Sequence, residues 1–215
     1  MSPLLTGLFV GVTASLGLLV AETPQLEVIG CDSPRPSVEA RAIFASNGKA
    51  SRDGCALTIQ AGRNRVRLVD DLREQGSTYI RYQYNGALSN TEFHVVVIFF
   101  YEGTAYELVG PNGNARLVGF PLLSPDGHRV LSSSKDLYAA FNPNAVEIWN
   151  IERGLPRLEI SIRSDEWGPS DARWVDAQTI EFGQTSINDN GMEQTRTGAR
   201  LQRISSNWSL VSAAR

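Results

Sequence analysis

The residues best suited by type and spacing to do chemistry stand in one short run, Asp165-Glu166-Trp167-Gly168-Pro169-Ser170-Asp171-Ala172-Arg173-Trp174. Paired carboxylates about 5 to 9.5 Å apart supply the acid and base of glycoside hydrolysis. Tryptophan faces beside them can stack on sugars or cations. Read as a loop, the run makes Asp165, Glu166, Trp167, Asp171 and Trp174 the candidate ligand contacts, because aromatic residues on loops are enriched in binding surfaces. The competing reading is packing: Trp174, followed by Val175, joins a core, Trp167 covers a sheet end, and the charges solvate a turn.

Other chemistry finds no constellation. His94 and His128 are the two histidines, and neither has a second ligand at His-x-x-x-His or Cys-x-x-Cys spacing, so no metal site is expected. Ser132-Ser133-Ser134-Lys135 contains a formal Ser-x-x-Lys, but in acyl-enzymes that motif opens a helix and is joined by further signatures. Here it follows a strand. Asp189-Asn190-Gly191 resembles part of a calcium loop, yet Ser186 stands where the first aspartate belongs. No catalytic set and no cofactor motif is present. With 20 basic and 23 acidic residues, a net charge of -3 and no long block of either sign, nothing asks for nucleic acid.

Positioning these residues falls to a chain that begins with an unusual segment. Residues 1–21 carry no ionisable side chain and run Leu4, Leu5, Leu8, Phe9, Val10, Val12, Leu16, Leu18, Leu19, Val20 before Glu22, Thr23 and Pro24. This predicts an apolar helix serving as a secretory signal cleaved after Ala21, or, uncleaved, as a membrane anchor. Both place the remainder outside the cytoplasm, periplasmic or secreted. Cys31 and Cys55 would then be free to pair, and a bridge closing that loop contributes on the order of 3 kcal/mol by restricting the unfolded chain. Val28-Ile29-Gly30-Cys31 also has the residue types of a lipoprotein cleavage site, although polar residues separate it from the apolar run. Membrane attachment is thus expected only through an uncleaved segment or a lipidated Cys31.

Residues 22–37, with Pro24, Pro34 and Pro36, read as a lead-in, and residues 38–212 as a single β domain. Cys55–Gln60 and Val66–Val69 form a hairpin about Gly62-Arg63-Asn64. Asp70–Gln75 suits one helical turn. Tyr79–Tyr84 alternates, whereas Phe93–Tyr101 is apolar on both faces, as a central strand covered from two sides should be. Further strands are expected around turns at Pro111-Asn112-Gly113 and Ser124-Pro125-Asp126-Gly127, then at 145–151, 157–163, 178–182 and 199–204. In 157–163, Leu158, Ile160 and Ile162 should face a core. Residues 184–198 are too hydrophilic for core and read as a loop or protruding hairpin. The fold class is therefore all-β with antiparallel sheets, whether propeller-like, sandwich or small barrel.

Leu123-Ser-Pro-Asp-Gly-His-Arg-Val-Leu131 followed by Val146-Glu-Ile-Trp-Asn-Ile-Glu-Arg-Gly154 resembles one blade of a WD-repeat propeller, with Asn150 in place of the usual aspartate and an insertion over Lys135–Asn144. The resemblance implies a turn before an inner strand and a second strand ending the blade. Flanking segments 93–119 and 172–207 can be read as degraded blades at the ~45-residue spacing of such repeats. The general layout also resembles bacterial exported proteins of no assigned activity, and it carries no function with it.

The expectation is an extracytoplasmic, non-enzymatic binding or envelope-associated module for a protein or glycan ligand. Its alternatives are a hydrolase using the loop carboxylates and an inhibitor or immunity protein for an exported enzyme. Intact mass of the protein from its host's envelope should show loss of residues 1–21, with Cys31 and Cys55 alkylated only after reduction. An intact start or acyl mass on Cys31 would contradict cleavage.

Overall fold

A computed structural model describes Cys31, residues 37–73 and residues 78–211; the apolar segment 1–21 and most of the lead-in lie outside them. One helix, α1 (Ser37–Ala45), precedes fifteen strands: β1 (Ala50–Asp53), β2 (Ala56–Ala61), β3 (Asn64–Val69), β4 (Ile80–Ala87), β5 (His94–Phe100), β6 (Gly103–Gly110), β7 (Gly113–Leu117), β8 (Leu122–Leu123), β9 (Arg129–Ser134), β10 (Ala145–Asn150), β11 (Arg157–Arg163), β12 (Gly168–Asp176), β13 (Thr179–Ile187), β14 (Glu193–Ile204) and β15 (Asn207–Val211). They form four antiparallel sheets in chain order, β1–β3, β4–β7, β8–β11 and β12–β15, each a simple meander. Short turns set this order. Gly62-Arg63, Pro111-Asn112 and Asp126-Gly127 close hairpins as their sequences require, Gly62 and Gly127 at positive φ.

Three apolar clusters join successive sheets. Leu57 and Ile59 of the first sheet meet Tyr84, Val96 and Ile98 of the second. Val95, Leu108 and Leu117 of the second meet Val130 of the third and Ile151. Leu131, Val146 and Ile148 of the third meet Ile180, Phe182, Leu201 and Trp208 of the fourth. Strand β5 thus sends alternate side chains into two cores, as its apolar sequence predicts. Of the architectures the sequence left open, propeller-like, sandwich and small barrel, the described residues show none closed: no strand pairing and no core cluster links the first sheet to the fourth. The outward faces of the two end sheets are mixed: Thr58, Arg65 and Arg67 stand with the exposed Val69 on one, and Arg173, Glu181, Arg200 and Gln202 with the exposed Val175, Ile204 and Val211 on the other.

Several local expectations change. Helix α1 occupies the start of the segment read as the β domain, where no helix was expected. Its buried residue is Glu39, while Phe44 is 87% exposed, the reverse of an amphipathic pattern. At 70–73 there is no helical turn; Asp71 instead exchanges both backbone hydrogen bonds with Ile80, each at 2.8 Å. Leu158 faces away from the core and is 48% exposed, because the β10–β11 register shifts between Ile148 and Trp149 and leaves Glu159 as the extra residue.

The first and second sheets are joined by charge as well as by apolar contact. Arg52 Nη2 donates to Glu39 Oε1 at 2.6 Å and to the Tyr82 carbonyl at 2.5 Å, and Nη1 donates to Asp70 Oδ2 at 3.2 Å. The carboxylates turn their remaining capacity on the edge of β4: Tyr82 N donates to Asp70 Oδ1 at 2.8 Å and Tyr84 N to Glu39 Oε1 at 2.9 Å. All three side chains are at most 9% exposed. Behind β4, the Tyr84 hydroxyl and His94 Nδ1 lie 2.8 Å apart in the core. Burial pushes the Tyr84 hydroxyl up to about 12. Burial, with the nearby Lys49 charge, also holds His94 below its ordinary value against a bond to the Gln60 backbone.

The disulfide expected from the sequence is present, Cys31 to Cys55 with a separation of 24 residues. It belongs to the chemistry of an oxidising, extracytoplasmic compartment. Among the described residues no helix is long and apolar enough to cross a membrane.

Glu39→Ala leaves the Arg52 charge buried without one of its partners and should cost about 3–5 kcal/mol, measured by urea unfolding of the oxidised protein; a loss under about 1 kcal/mol would contradict the role assigned to the cluster. His94 has a folded pKa below its unfolded value of about 6.5, so its contribution is intact above that pH and is lost as pH falls toward the folded pKa. Stability should therefore decline below about pH 6.5, and this part of the slope should vanish in His94→Gln.

Candidate functional site

The fourth sheet extends beyond the third at one end. There β13 and β14 continue as a polar hairpin, turning at Asn188–Met192 with Gly191 at positive φ. This is the protruding hairpin that residues 184–198 suggested. Side chains alternate across a strand, so Gln184 and Ser186 continue the row of Ile180 and Phe182 after the apolar contacts have ended. Opposite them, Gln184 pairs with Arg196 and Ser186 with Gln194. Four polar side chains thus form a patch about 5 Å across the strands and about 7 Å along them.

A tight turn brings Glu166 and Trp167 to this patch. Ser164 Oγ accepts hydrogen bonds from Glu166 N at 3.1 Å and Trp167 N at 3.2 Å, and Ser164 N is tied to the Asn144 carbonyl at 3.1 Å. The indole of Trp167 stacks on Phe182, ring centroids 5.8 Å apart and planes 24° from parallel. Its position therefore follows from the core of the last two sheets. Together Glu166, Trp167, Gln184, Ser186, Gln194 and Arg196 line a cavity of about 270 Å³.

The Lys135–Asn144 insertion supports both walls. Asp136 gathers it by accepting from the backbone N–H groups of Ala139, Phe141 and Asn142 at 2.9–3.0 Å. Those bonds, from Asn142 foremost, hold the carboxyl below its usual range. Lys135 Nζ reaches Glu193 Oε2 of the hairpin at 2.6 Å. Gly168 lets the insertion approach: a Cβ there would stand 2.5 Å from Lys135 Cγ and 2.7 Å from Asn144 Oδ1.

The five residues singled out in the sequence separate. Only Asp165–Trp167 lie outside strands; Gly168–Asp176 is β12, so the single loop expected over Asp165–Trp174 is not formed. Glu166 and Trp167 share the cavity just described. Asp171 sits at a break in the β12–β13 register with φ 52 and lines a different cavity, about 130 Å³, with Ser170, Arg173, Glu181 and Gly183. Asp165 lines neither. Trp174 is packing, as the competing reading held: its indole N–H donates to the Leu122 carbonyl at 2.9 Å and its ring meets Trp208 edge-on. Gln184, Ser186, Gln194 and Arg196 were absent from the sequence-derived site, the hydrophilicity of residues 184–198 being the one available signal.

Some charges elsewhere are paired within the protein. Glu159, for example, accepts from Trp208 at 2.8 Å, Arg129 at 2.9 Å and Asn150 at 3.1 Å. Burial works against its charge, but these bonds outweigh it and hold the carboxyl below its ordinary value. Trp149 and Asn150, which carried the WD-repeat resemblance, serve the third sheet internally; the Trp149 indole donates to Glu147 at 3.1 Å. Among the described residues no group of three or more His, Cys, Asp or Glu could hold a metal ion.

No protein-family model, curated protein or solved structure matches the chain.

Proposed function

We propose that this chain is an extracytoplasmic, non-enzymatic binding module that grips a glycan in the Trp167 cavity. One observation carries the reading. The side chains of Glu166, Gln184, Ser186, Gln194 and Arg196 line one cavity beside an indole, and none of them makes a hydrogen bond or ion pair within the protein among the described residues. A ligand site of this kind combines an apolar surface with a few polar groups that fix orientation. Hydroxyl-rich sugars suit it, since the indole covers their carbon face while amides, hydroxyl and charges meet their oxygens.

The hydrolase alternative draws no support from this arrangement, because Glu166 and Asp171 line separate cavities. Export of the module is supported by the disulfide and by the apolar run at residues 1–21, and a rigid sheet stack with a preorganised turn favours binding by sparing the cost of ordering a loop.

Trp167→Ala should leave the urea midpoint of unfolding within reach of wild type yet weaken binding to the best ligand on a glycan array by about 30-fold or more, as expected for a central aromatic contact. An array on which the oxidised wild-type protein binds no glycan, or unchanged affinity in the variant, would remove the cavity from consideration.

A further inference from the structure

Resting on the glycan reading of the Trp167 cavity, we infer that its preferred ligand is an N-acetylated amino sugar, recognised by Gln184 and Gln194 through the acetamido group. The register places these glutamines diagonally: Gln184 stands opposite Arg196, and Gln194 opposite Ser186, one alternation further along. Diagonal positions of this kind are about 7–8 Å apart at the backbone, which two glutamine side chains can span from both sides toward one small group. A carboxamide offers an oxygen that accepts and an NH₂ that donates. Two of them can therefore serve an acetamido group completely, one accepting from its N–H and the other donating to its carbonyl. A neutral hydroxyl at the same place meets only part of that capacity.

The charged residues of the cavity point the same way. Glu166 and Arg196 carry opposite charges and neither is neutralised by a neighbour in the protein, so the cavity as a whole favours a ligand without net charge. A free amino sugar, cationic at neutral pH, would add a net charge to that balance. An acetylated one keeps the nitrogen and loses the charge. The Trp167 indole, held by Phe182, then covers the ring or the acetyl methyl, both apolar surfaces of the same ligand.

The test compares two probes that share a β-1,4 backbone and a length of six sugars and differ in the group at issue: hexa-N-acetylchitohexaose and cellohexaose. Calorimetric titration of the oxidised full chain should show the acetylated probe bound about tenfold or more tightly, the size expected when a hydrogen bond to an amide that the ligand desolvates is made against left unmade. In Gln184→Leu/Gln194→Leu that preference should fall to parity, the acetylated probe losing about tenfold more affinity than cellohexaose does, with the urea midpoint retained. Equal affinity for both probes in the wild type, or a preference that survives the double substitution, overturns the acetamido assignment and leaves the glycan reading standing. Binding of neither probe overturns the assignment too, and with a blank glycan array the glycan reading fails with it.

Discussion

The stack of sheets depends first on a small ionic cluster that replaces a missing strand. An exposed edge of β4 would leave a row of backbone donors and acceptors open to any other chain. Asp71 meets Ile80 by backbone, Asp70 meets the Tyr82 N–H, Arg52 meets the Tyr82 carbonyl, and Glu39 meets the Tyr84 N–H. Carboxylates and guanidinium thus continue the ladder that a fourth strand of the first sheet could have supplied. The same cluster holds α1 against the sheets, and Arg52 also donates to the carbonyl of Cys55 at 3.3 Å, next to the disulfide. Because each charge is buried, each is tolerable only in the presence of the others.

From that end the molecule grows by repetition. Each meander buries one face against the sheet before it and offers its other face to the next, so the arrangement of the fourth sheet follows from contacts made by the third. The site appears where this repetition stops short. Strands β13 and β14 outrun their neighbour, and the alternation that sent Ile180 and Phe182 inward sends Gln184 and Ser186 into open space along the same row. The cavity is therefore a consequence of strand length, with Ser164 and the Asp136-centred insertion adding its aromatic wall.

Legibility in the sequence tracked the range of the forces involved. Hairpins governed by Asn-Gly, Asp-Gly and Gly turns could be read, as could the two-sided burial of β5, because each depends on residues close in sequence. Helix α1 could not: it is anchored by Glu39 to Arg52 and to Tyr84, a contact 45 residues away, and it exposes Phe44. Leu158 was misplaced by a single register shift opposite Trp149. The candidate site was half visible. Its aromatic anchor and one carboxylate lie in the run that looked chemical, whereas the polar patch lies in a segment whose only mark was hydrophilicity, and its meaning required the pairing of Gln184 with Arg196. The WD-like motifs around Ser124 and Trp149 describe one meander and did not extend to a closed ring.

The central claim is that the Trp167 cavity is where this protein meets its ligand. A crystal structure of the oxidised full chain grown with the tightest ligand from a glycan array tests it most directly. The account predicts a sugar ring against the Trp167 indole, with its polar groups bonded to Gln184, Gln194 or Arg196. A well-ordered glycan seated instead on the outer face of an end sheet, or in the Asp171 cavity with the Trp167 cavity holding only solvent, would contradict it.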